Sequence, residues 1–268
     1  MKKPKIIFKY EEFSAQSLQN LKAQSIFFGS PLRFNDTYDC ALNPSLKNPT
    51  EKQLEVIRHH YTDIEDVPPQ VKVEFKNASK SKLKLLIERV TLQALRMHNE
   101  SLVRKIGVSC FSEKNDDLLM WAHYGGKYKG FCLEFATSYE PFKLMRKVKY
   151  TTVMPKLNPA SVILNNDFEQ VLDLYFTKSK SWDYEKEWRV IHAEANTMYT
   201  YESEALKAIY FGPDIDMQSL EIICLVISGQ NPGVKFWRGK RSTERFKVDF
   251  EPFKYINHIE AKRRSLNT

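Results

Sequence analysis

The sequence lacks the features that mark membrane-spanning, secreted and metal-binding proteins. It contains no run of about 18 apolar residues, and its start leads into only Ile6-Ile7-Phe8, which is too short for a signal-peptide core. The four cysteines are widely spaced, with no C-x-x-C pair and no histidine at zinc-finger spacing, so neither a zinc site nor a disulfide framework is predicted. We therefore expect a soluble, cytoplasmic protein with buried thiols, no metal centre and no membrane partner.

Glycine-rich phosphate-binding motifs are absent as well. The chain has nine glycines in 268 residues, and they form neither a G-x-G-x-x-G loop nor a G-x-x-x-x-G-K-[ST] run. Because these motifs cradle phosphates in Rossmann and P-loop proteins, their absence argues against both modes of cofactor binding.

The sequence does contain enough apolar residues for a large core, together with an excess of positive charge. With 42% hydrophobic and 13% aromatic residues, residues 1–268 are most simply one domain with an insertion. The net charge of +8 and the pI of about 9.1 favour anionic partners such as nucleic acid, phosphorylated cofactors or acidic proteins. The basic run Lys235 to Arg245 contains interleaved aromatic residues, which suits either a binding surface or a solvated face.

Predicted strands and helices alternate along the chain, which indicates the α+β class. Residues 50–105 show helical periodicity that is broken at Val67-Pro68-Pro69, since proline is not accepted inside a helix. We interpret this segment as a helical insertion. Outside it, the principal predicted strands are Ile6 to Tyr10, Ile106 to Phe111, Gly130 to Phe135 and Leu225 to Ile227. A short helix is predicted at Leu118 to Tyr124.

Two glutamates one residue apart form the strongest candidate for a functional site. The aromatic and β-branched residues of the stretch Ser181 to Ile191 predict a strand, in which Glu185, Glu187 and Arg189 would share one face. Like charges at this spacing repel each other, and a fold tolerates them where a cation compensates them or where a ligand requires both. The spacing alone leaves open a solvated, salt-bridged strand face.

Several short motifs stand in one order along the chain. They are Phe8-Lys9-Tyr10, Phe27-Phe28-Gly29-Ser30-Pro31, Phe34-Asn35-Asp36, Val108-Ser109-Cys110-Phe111-Ser112, Leu119-Met120-Trp121-Ala122-His123-Tyr124-Gly125, Lys129-Gly130-Phe131-Cys132 and Tyr184-Glu185-Lys186-Glu187-Trp188-Arg189. Together they resemble a bacterial domain-of-unknown-function family that is often associated with mobile elements and defence islands. The resemblance spans nearly the whole chain. More distantly, the arrangement resembles the ADP-ribosyltransferase superfamily.

The three motifs of the ADP-ribosyltransferase superfamily each have a counterpart in this resemblance. The first strand of that superfamily carries an Arg or His, and it would fall on Phe8-Lys9-Tyr10, where Lys9 or Tyr10 stands in place of the usual residue. The Ser-x-Ser segment would fall on Ser109-Cys110-Phe111-Ser112, and the Glu-x-Glu motif would be Glu185-Lys186-Glu187. The resemblance implies a pair of small packed sheets around a cleft, with NAD as the substrate.

The resemblance also implies roles for individual residues. Cleavage of the bond between nicotinamide and ribose passes through an oxocarbenium-like transition state, and Glu187 is predicted to stabilise its positive charge. Glu185 is predicted to orient or deprotonate the incoming nucleophile. For Arg189, the alternative to NAD binding is a structural ion pair with either glutamate. For Trp121, the alternative is a position in the core of the protein. The residues predicted to bind NAD are Lys9, Tyr10, Arg33, Ser109, Ser112, Trp121, Tyr124 and Arg189.

The predicted function is therefore that of an NAD-consuming ADP-ribosyltransferase, or of an NAD glycohydrolase if water is the acceptor. The acceptor is left open among nucleic acid, protein and water, and the resemblance implies a toxin or phage-defence role with a neutralising or defence-system partner. One alternative is a nucleic-acid-binding or nuclease module, in which the glutamates and Asp36, Asp39 or Asp183 would hold a divalent metal. A second alternative is a non-catalytic interaction domain.

Overall fold

The structure, a computed structural model, describes residues 2–36, 38–40, 45–165, 167, 169–256 and 258–265. These residues form two compact units. The sheet unit takes in the described residues of Met1–Gly29, Gly107–Val148 and Ser181–Thr268, and the helical unit takes in those of Ser30–Ile106 and Lys149–Lys180. Within these ranges no helix combines the length and the apolar character that crossing a membrane requires.

Both units contain strands, and the longest of them lie in the sheet unit. The strands are β1 Ile6–Glu11, β2 Ser25–Phe28, β3 Ser45–Leu46, β4 Gly107–Ser112, β5 Phe131–Ala136, β6 Arg146–Lys147, β7 Lys149–Thr151, β8 Lys156–Leu157, β9 Thr177–Ser179, β10 Glu187–His192, β11 Thr197–Thr200, β12 Leu206–Phe211, β13 Lys235–Arg241 and β14 Val248–Phe253.

Helices are likewise found in both units. The α-helices are α1 Ala15–Lys22, α2 Glu51–Asp63, α3 Pro69–Asn77, α4 Lys80–Lys105, α5 Leu118–His123, α6 Pro159–Asn165, α7 Glu169–Leu174, α8 Met217–Ser228 and α9 His258–Ser265. Short 3₁₀ helices span Pro31–Arg33, Phe142–Leu144, Lys180–Glu185 and Ser203–Ala205.

Eight strands of the sheet unit form one mixed sheet, in the order β14-β13-β12-β5-β1-β4-β10-β6. Neighbouring strands are antiparallel except for β12 and β13, which are parallel and are joined through α8, as a parallel pair requires a crossover connection. The expectation of two small packed sheets is not met by these strands. The reason is that β1 pairs with β5 on one side and with β4 on the other, so it joins the two halves into one large sheet.

One face of this sheet, which we call the α8 face, carries the main apolar core. Ile7, Phe111 and Trp188 project from it and belong to the same buried cluster as Leu21 of α1 and Ile223 of α8. The opposite face, which we call the α5 face, carries a second cluster that joins the sheet to the short helix α5. Its buried members are Phe8, Tyr10, Met120, Trp121, Cys132 and Val248.

The strand predicted at Leu225 to Ile227 is wrong, because these residues belong to α8. Buried side chains recur in this helix at Leu220, Ile223, Cys224 and Ile227, which is the three-to-four spacing of a helix that buries one side. The Asp216 side chain caps the helix, since its Oδ1 accepts from the Ser219 amide at 2.9 Å. A continuous apolar run conceals this spacing from sequence inspection.

The helical unit is built on α2, α3 and α4, which together occupy most of the segment predicted to be helical. Pro68 and Pro69 lie at the start of α3, at its N-cap and first position, where proline is tolerated because no helical hydrogen bond is lost. Leu54, Ile57 and Phe75 pack with residues of α4 in one buried cluster.

Candidate active site

The segment that carries the two glutamates is only partly a strand. Residues Lys180–Glu185 form a 3₁₀ helix, and β10 begins at Glu187. Between them Lys186 adopts a left-handed backbone conformation with φ of 46°, which is unusual for a residue other than glycine. The Lys186 amide donates to the Asp183 carbonyl at 3.3 Å, and the Lys186 ammonium pairs with the Asp183 carboxylate. The prediction that Glu185 and Glu187 belong to one strand is therefore wrong, because only Glu187 lies in β10.

Glu187 and Arg189 form a buried ion pair within β10. The Arg189 guanidinium donates from Nε to Oε1 of Glu187 at 2.6 Å and from Nη2 to Oε2 at 2.9 Å. The side chain of Arg189 is 0% exposed and that of Glu187 is 4% exposed. A carboxylate held by two guanidinium hydrogen bonds is held as an anion in a fixed orientation.

The register of the sheet places this pair on the α5 face. Glu187 lies opposite Ser112 in β4, and Ser112 in turn lies opposite Phe8 in β1. Phe8 belongs to the cluster on the α5 face, and directly paired residues of neighbouring strands project to the same side. Trp188, between Glu187 and Arg189, projects into the core on the α8 face.

Glu185 reaches the same face from outside the strand. Its Oε1 accepts a hydrogen bond from the Tyr124 hydroxyl at 2.6 Å, and Glu185 is 3% exposed. Tyr124 directly follows α5 and packs against the cluster on the α5 face. The structure thus brings Glu185, Glu187, Arg189 and Tyr124 to one side of the sheet, as their predicted membership of one site requires.

Tyr124 is held in place by a tight turn that follows α5. The turn is closed by the Gly130 amide, which donates to the Gly125 carbonyl at 2.9 Å. Gly130 lies so close to β1 that an added Cβ would be 2.2 Å from the Glu11 carbonyl oxygen. A larger residue at this position would push the turn, and with it Tyr124, away from the sheet.

Ser112 connects the loop after β4 to the segment before β10. Its hydroxyl donates to the Glu185 carbonyl at 2.6 Å and accepts from the Lys114 amide at 3.1 Å. It therefore fixes the backbone of Glu185. The predicted contact of Ser112 with a ribose stays a prediction.

Ser109 and Lys9 lie on the other side of the sheet from the glutamates. Ser109 is opposite Val190 and Lys9 is opposite Leu133, and both of these partners belong to the core on the α8 face. Lys9 pairs with Glu11 at 3.4 Å, and the Ser109 hydroxyl, which is buried, has no hydrogen-bond partner among the described residues. The prediction that both residues share a site with Glu187 is wrong, because alternation along β1 and β4 sends them to the opposite face.

Tyr10 and Trp121 are core residues. Trp121 is 0% exposed, its Nε1 donates to the Asn115 carbonyl at 2.7 Å, and its ring is in edge contact with Tyr10 at 5.1 Å between centroids. The Tyr10 hydroxyl donates to the Lys114 carbonyl at 3.0 Å, and burial raises the pKa of this phenol well above its usual range. The predicted stacking of these rings on a flat ligand is therefore wrong, and the core interpretation of Trp121 is correct.

Arg33 belongs to the helical unit, where it ends the 3₁₀ helix Pro31–Arg33 and is exposed. Its predicted contact with the cofactor stays a prediction. Asp39 of the same unit forms a buried ion pair with Lys178 at 3.3 Å. No group of three or more His, Cys, Asp and Glu side chains is placed to hold a metal ion in the part of the chain that the structure describes.

Sequence inspection missed two features beside the site. Three aromatic side chains, His123, Trp182 and Tyr184, lie with ring centroids 6.0 to 6.4 Å apart, although the interval of 59 residues between the first two gives no local signal. Glu113, which follows β4, accepts hydrogen bonds from Lys147 Nζ at 2.6 Å and from Trp188 Nε1 at 2.7 Å. Burial opposes ionisation of Glu113, but these two bonds and the charges of Lys147 and Lys186 together outweigh it and lower the pKa of Glu113 below the ordinary value.

The fold and the site together define a mixed α/β protein with buried carboxylates on one face of a large sheet. A protein-family model described as "Protein of unknown function (DUF2971)" matches residues 120–190. This part of the chain is thus similar to that family, and it includes Tyr124, Glu185, Glu187 and Arg189. No curated protein and no solved structure matches the chain.

Proposed function

We propose that the protein cleaves the bond between nicotinamide and ribose in NAD and transfers the ADP-ribose group to an acceptor. The observation that carries this proposal is the placement of two buried carboxylates, Glu185 and Glu187, on one face of the sheet. Burying two acidic groups together is unfavourable unless each is compensated or used. Such sites are candidates for catalysis because burial and specific partners tune the charge of each group.

The known contacts of the two carboxylates suit two different roles. Glu187 is held as an anion by Arg189, so it is suited to stabilise the positive charge that develops on the ribose as nicotinamide leaves with the electrons of the broken bond. Glu185 accepts a hydrogen bond from the Tyr124 hydroxyl, which holds its carboxylate beside α5. It is suited to accept the proton of the acceptor as the acceptor oxygen or nitrogen bonds to the ribose.

The first test is nicotinamide release from NAD by the purified chain, with and without cell extract, followed by chromatography. Glu187→Gln is expected to lower the rate by at least about 100-fold, which is the usual effect of removing one electrostatic contact to a transition state. Glu185→Gln is expected to slow transfer to an acceptor more than the release of nicotinamide to water.

The chain offers a matched control for these variants. Glu134 in β5 also accepts a tyrosine hydroxyl, that of Tyr210, at 2.6 Å, and it lies opposite Phe8 on the α5 face. Glu134→Gln and Tyr210→Phe are expected to keep full activity, whereas Tyr124→Phe is expected to reduce it. If the wild type releases no nicotinamide, or if Glu187→Gln keeps the wild-type rate with an unchanged melting temperature, the proposal is wrong.

We propose a toxin or phage-defence role together with this activity, on the basis of the resemblance alone. Expression of the wild type is then expected to slow bacterial growth and to deplete NAD, and Glu187→Gln is expected to abolish both effects. Mass spectrometry of cellular nucleic acid and protein after expression would identify the acceptor through its ADP-ribose adduct. Recovery of growth on co-expression of a neighbouring gene would identify a neutralising partner.

A further inference from the structure

The hairpin formed by β13 and β14 presents an aromatic ring to solvent. The two strands pair in antiparallel register, and the loop between them is closed by the Ser242 amide, which donates to the Lys247 carbonyl at 3.1 Å. Phe246 in this loop is 98% exposed, the largest value among the exposed large hydrophobic side chains of the described residues. Both faces of its ring are therefore open, and covering them with a partner would be favourable.

The same hairpin is strongly basic. Residues 235–254 contain seven cations and three anions, a net charge of +4. The cations are Lys235, Arg238, Lys240, Arg241, Arg245, Lys247 and Lys254, and the anions are Glu244, Asp249 and Glu251. Ion pairs join Lys240 to Glu251, Lys247 to Asp249 and Arg241 to Asp214 outside the hairpin. Among the described residues no ion pair is found for Arg238 or Arg245. Arg245 directly precedes Phe246 in the chain, so an uncompensated positive charge lies next to the exposed ring.

A second aromatic side chain continues the pattern along β13. Trp237 is half-buried on the α5 face, and its ring stacks on Tyr210 with centroids 6.0 Å apart and planes 11° apart. Arg241 projects to the same side as Trp237, four residues along the strand and thus roughly 13 Å away. Aromatic rings therefore alternate with cations from the loop into the strand.

We infer that this hairpin binds single-stranded nucleic acid, with Phe246 stacked on a base and Arg245 on a neighbouring phosphate. An aromatic ring among cations is what sequence-tolerant binding of a single strand requires, because every base offers a flat face and every nucleotide a negative charge. A single strand fits better than a duplex, since the bases of a duplex are already stacked on each other.

A membrane surface fits the hairpin less well. Binding to a membrane depends on the apolar area that enters the lipid, and the other loop residues between Ser242 and Lys247 are polar or charged. Stacking on a base, by contrast, requires only one ring. The inference does not depend on NAD cleavage, because it uses none of the residues assigned to that reaction.

The test is fluorescence anisotropy of the full-length chain with fluorescein-labelled oligothymidylate and oligouridylate of 20 nucleotides, over a range of salt concentrations. Affinity is expected to fall as salt rises. Phe246→Ala is expected to weaken binding by about 5- to 150-fold, the range given by loss of one base stack, and Phe246→Trp is expected to retain binding and to show quenched tryptophan fluorescence. Arg245→Gln is expected to reduce the slope of log affinity against log salt by about 0.7.

Matched controls come from α4, where Arg96 and Met97 are also exposed. Arg96→Gln and Met97→Ala are expected to leave binding unchanged. The inference is wrong if the wild type binds neither oligonucleotide, or if Phe246→Ala binds as the wild type does with the same melting temperature. Phe246-dependent co-sedimentation with phosphatidylserine vesicles, without oligonucleotide binding, would also overturn it in favour of a membrane.

Discussion

Arg189 binds both carboxylate oxygens of Glu187, two residues before it in β10, and the two side chains are at most 4% exposed. In a strand, residues two apart share a face, so the pair forms within one strand. Breaking such a pair leaves a buried charge without compensation, whereas replacing both members with apolar residues is often neutral. The pair is therefore not explained by stability alone.

This relationship gives a prediction for unfolding. Arg189→Met is expected to lower the free energy of unfolding by about 3–5 kcal/mol, because the Glu187 carboxylate would remain buried without its guanidinium. The double variant Arg189→Met/Glu187→Leu is expected to recover most of that loss. Urea denaturation of the wild type, Arg189→Met, Glu187→Leu and the double variant forms a double-mutant cycle, which measures the interaction energy between the two side chains. A double variant as unstable as Arg189→Met would show that the ion pair itself supports the fold.

Two serines of β4 give opposite predictions for the same substitution. Both are almost completely buried, but Ser112 binds the Glu185 carbonyl and the Lys114 amide, while Ser109 has no partner among the described residues. Ser112→Ala is expected to cost about 1–3 kcal/mol of unfolding free energy, because the buried Glu185 carbonyl and the Lys114 amide lose their partner. Ser109→Ala is expected to be neutral or stabilising, because it removes an unpaired buried hydroxyl. Equal melting temperatures for the two variants would contradict this assignment.

Much of the sheet could be predicted from local patterns. The first strand was expected at Ile6 to Tyr10 and is Ile6–Glu11, and the short helix expected at Leu118 to Tyr124 is Leu118–His123. Their alternating or helical apolar spacing, with Asp117 as an N-cap that accepts from the Leu119 amide at 2.9 Å, is a short-range signal. The single large sheet was not predicted, because the pairing of β1 with both β4 and β5 is a long-range choice.

The candidate site was predicted only in part. Glu187 and Arg189 stand two apart in a strand, so sequence alone indicated that they share a face. Lys9 and Ser109 were assigned to the wrong face, since a motif name does not specify which strand residue projects to which side. The contact of Tyr124 with Glu185 joins residues 61 positions apart, and only the folded sheet brings them together.

Glu113 gives a prediction for pH dependence. Burial is the largest single influence and raises its pKa, but the bonds from Lys147 and Trp188 and the charges of Lys147 and Lys186 together lower this pKa in the folded protein. A carboxyl group with a lowered folded pKa adds stability above its unfolded pKa of roughly 4.3, and this contribution is lost as the pH falls through the folded pKa. The difference in unfolding free energy between the wild type and Glu113→Gln is therefore expected to be larger at pH 6 than at pH 3. A difference that does not change with pH would show that Glu113 is not held as an anion.

Lys186 gives a prediction that tests how the two glutamates are positioned. Its left-handed conformation with φ of 46° lets the chain turn from the 3₁₀ helix into β10, so that Glu185 and Glu187 reach the same face although they are not on the same strand. Lys186→Ala and Lys186→Gly both remove the ion pair with Asp183, but only glycine adopts this conformation without a steric cost. Lys186→Gly is therefore expected to be more stable than Lys186→Ala by about 1 kcal/mol in urea denaturation. Equal stability would mean that this conformation is not required, and that the positions of the two carboxylates are fixed by Tyr124 and Arg189 instead.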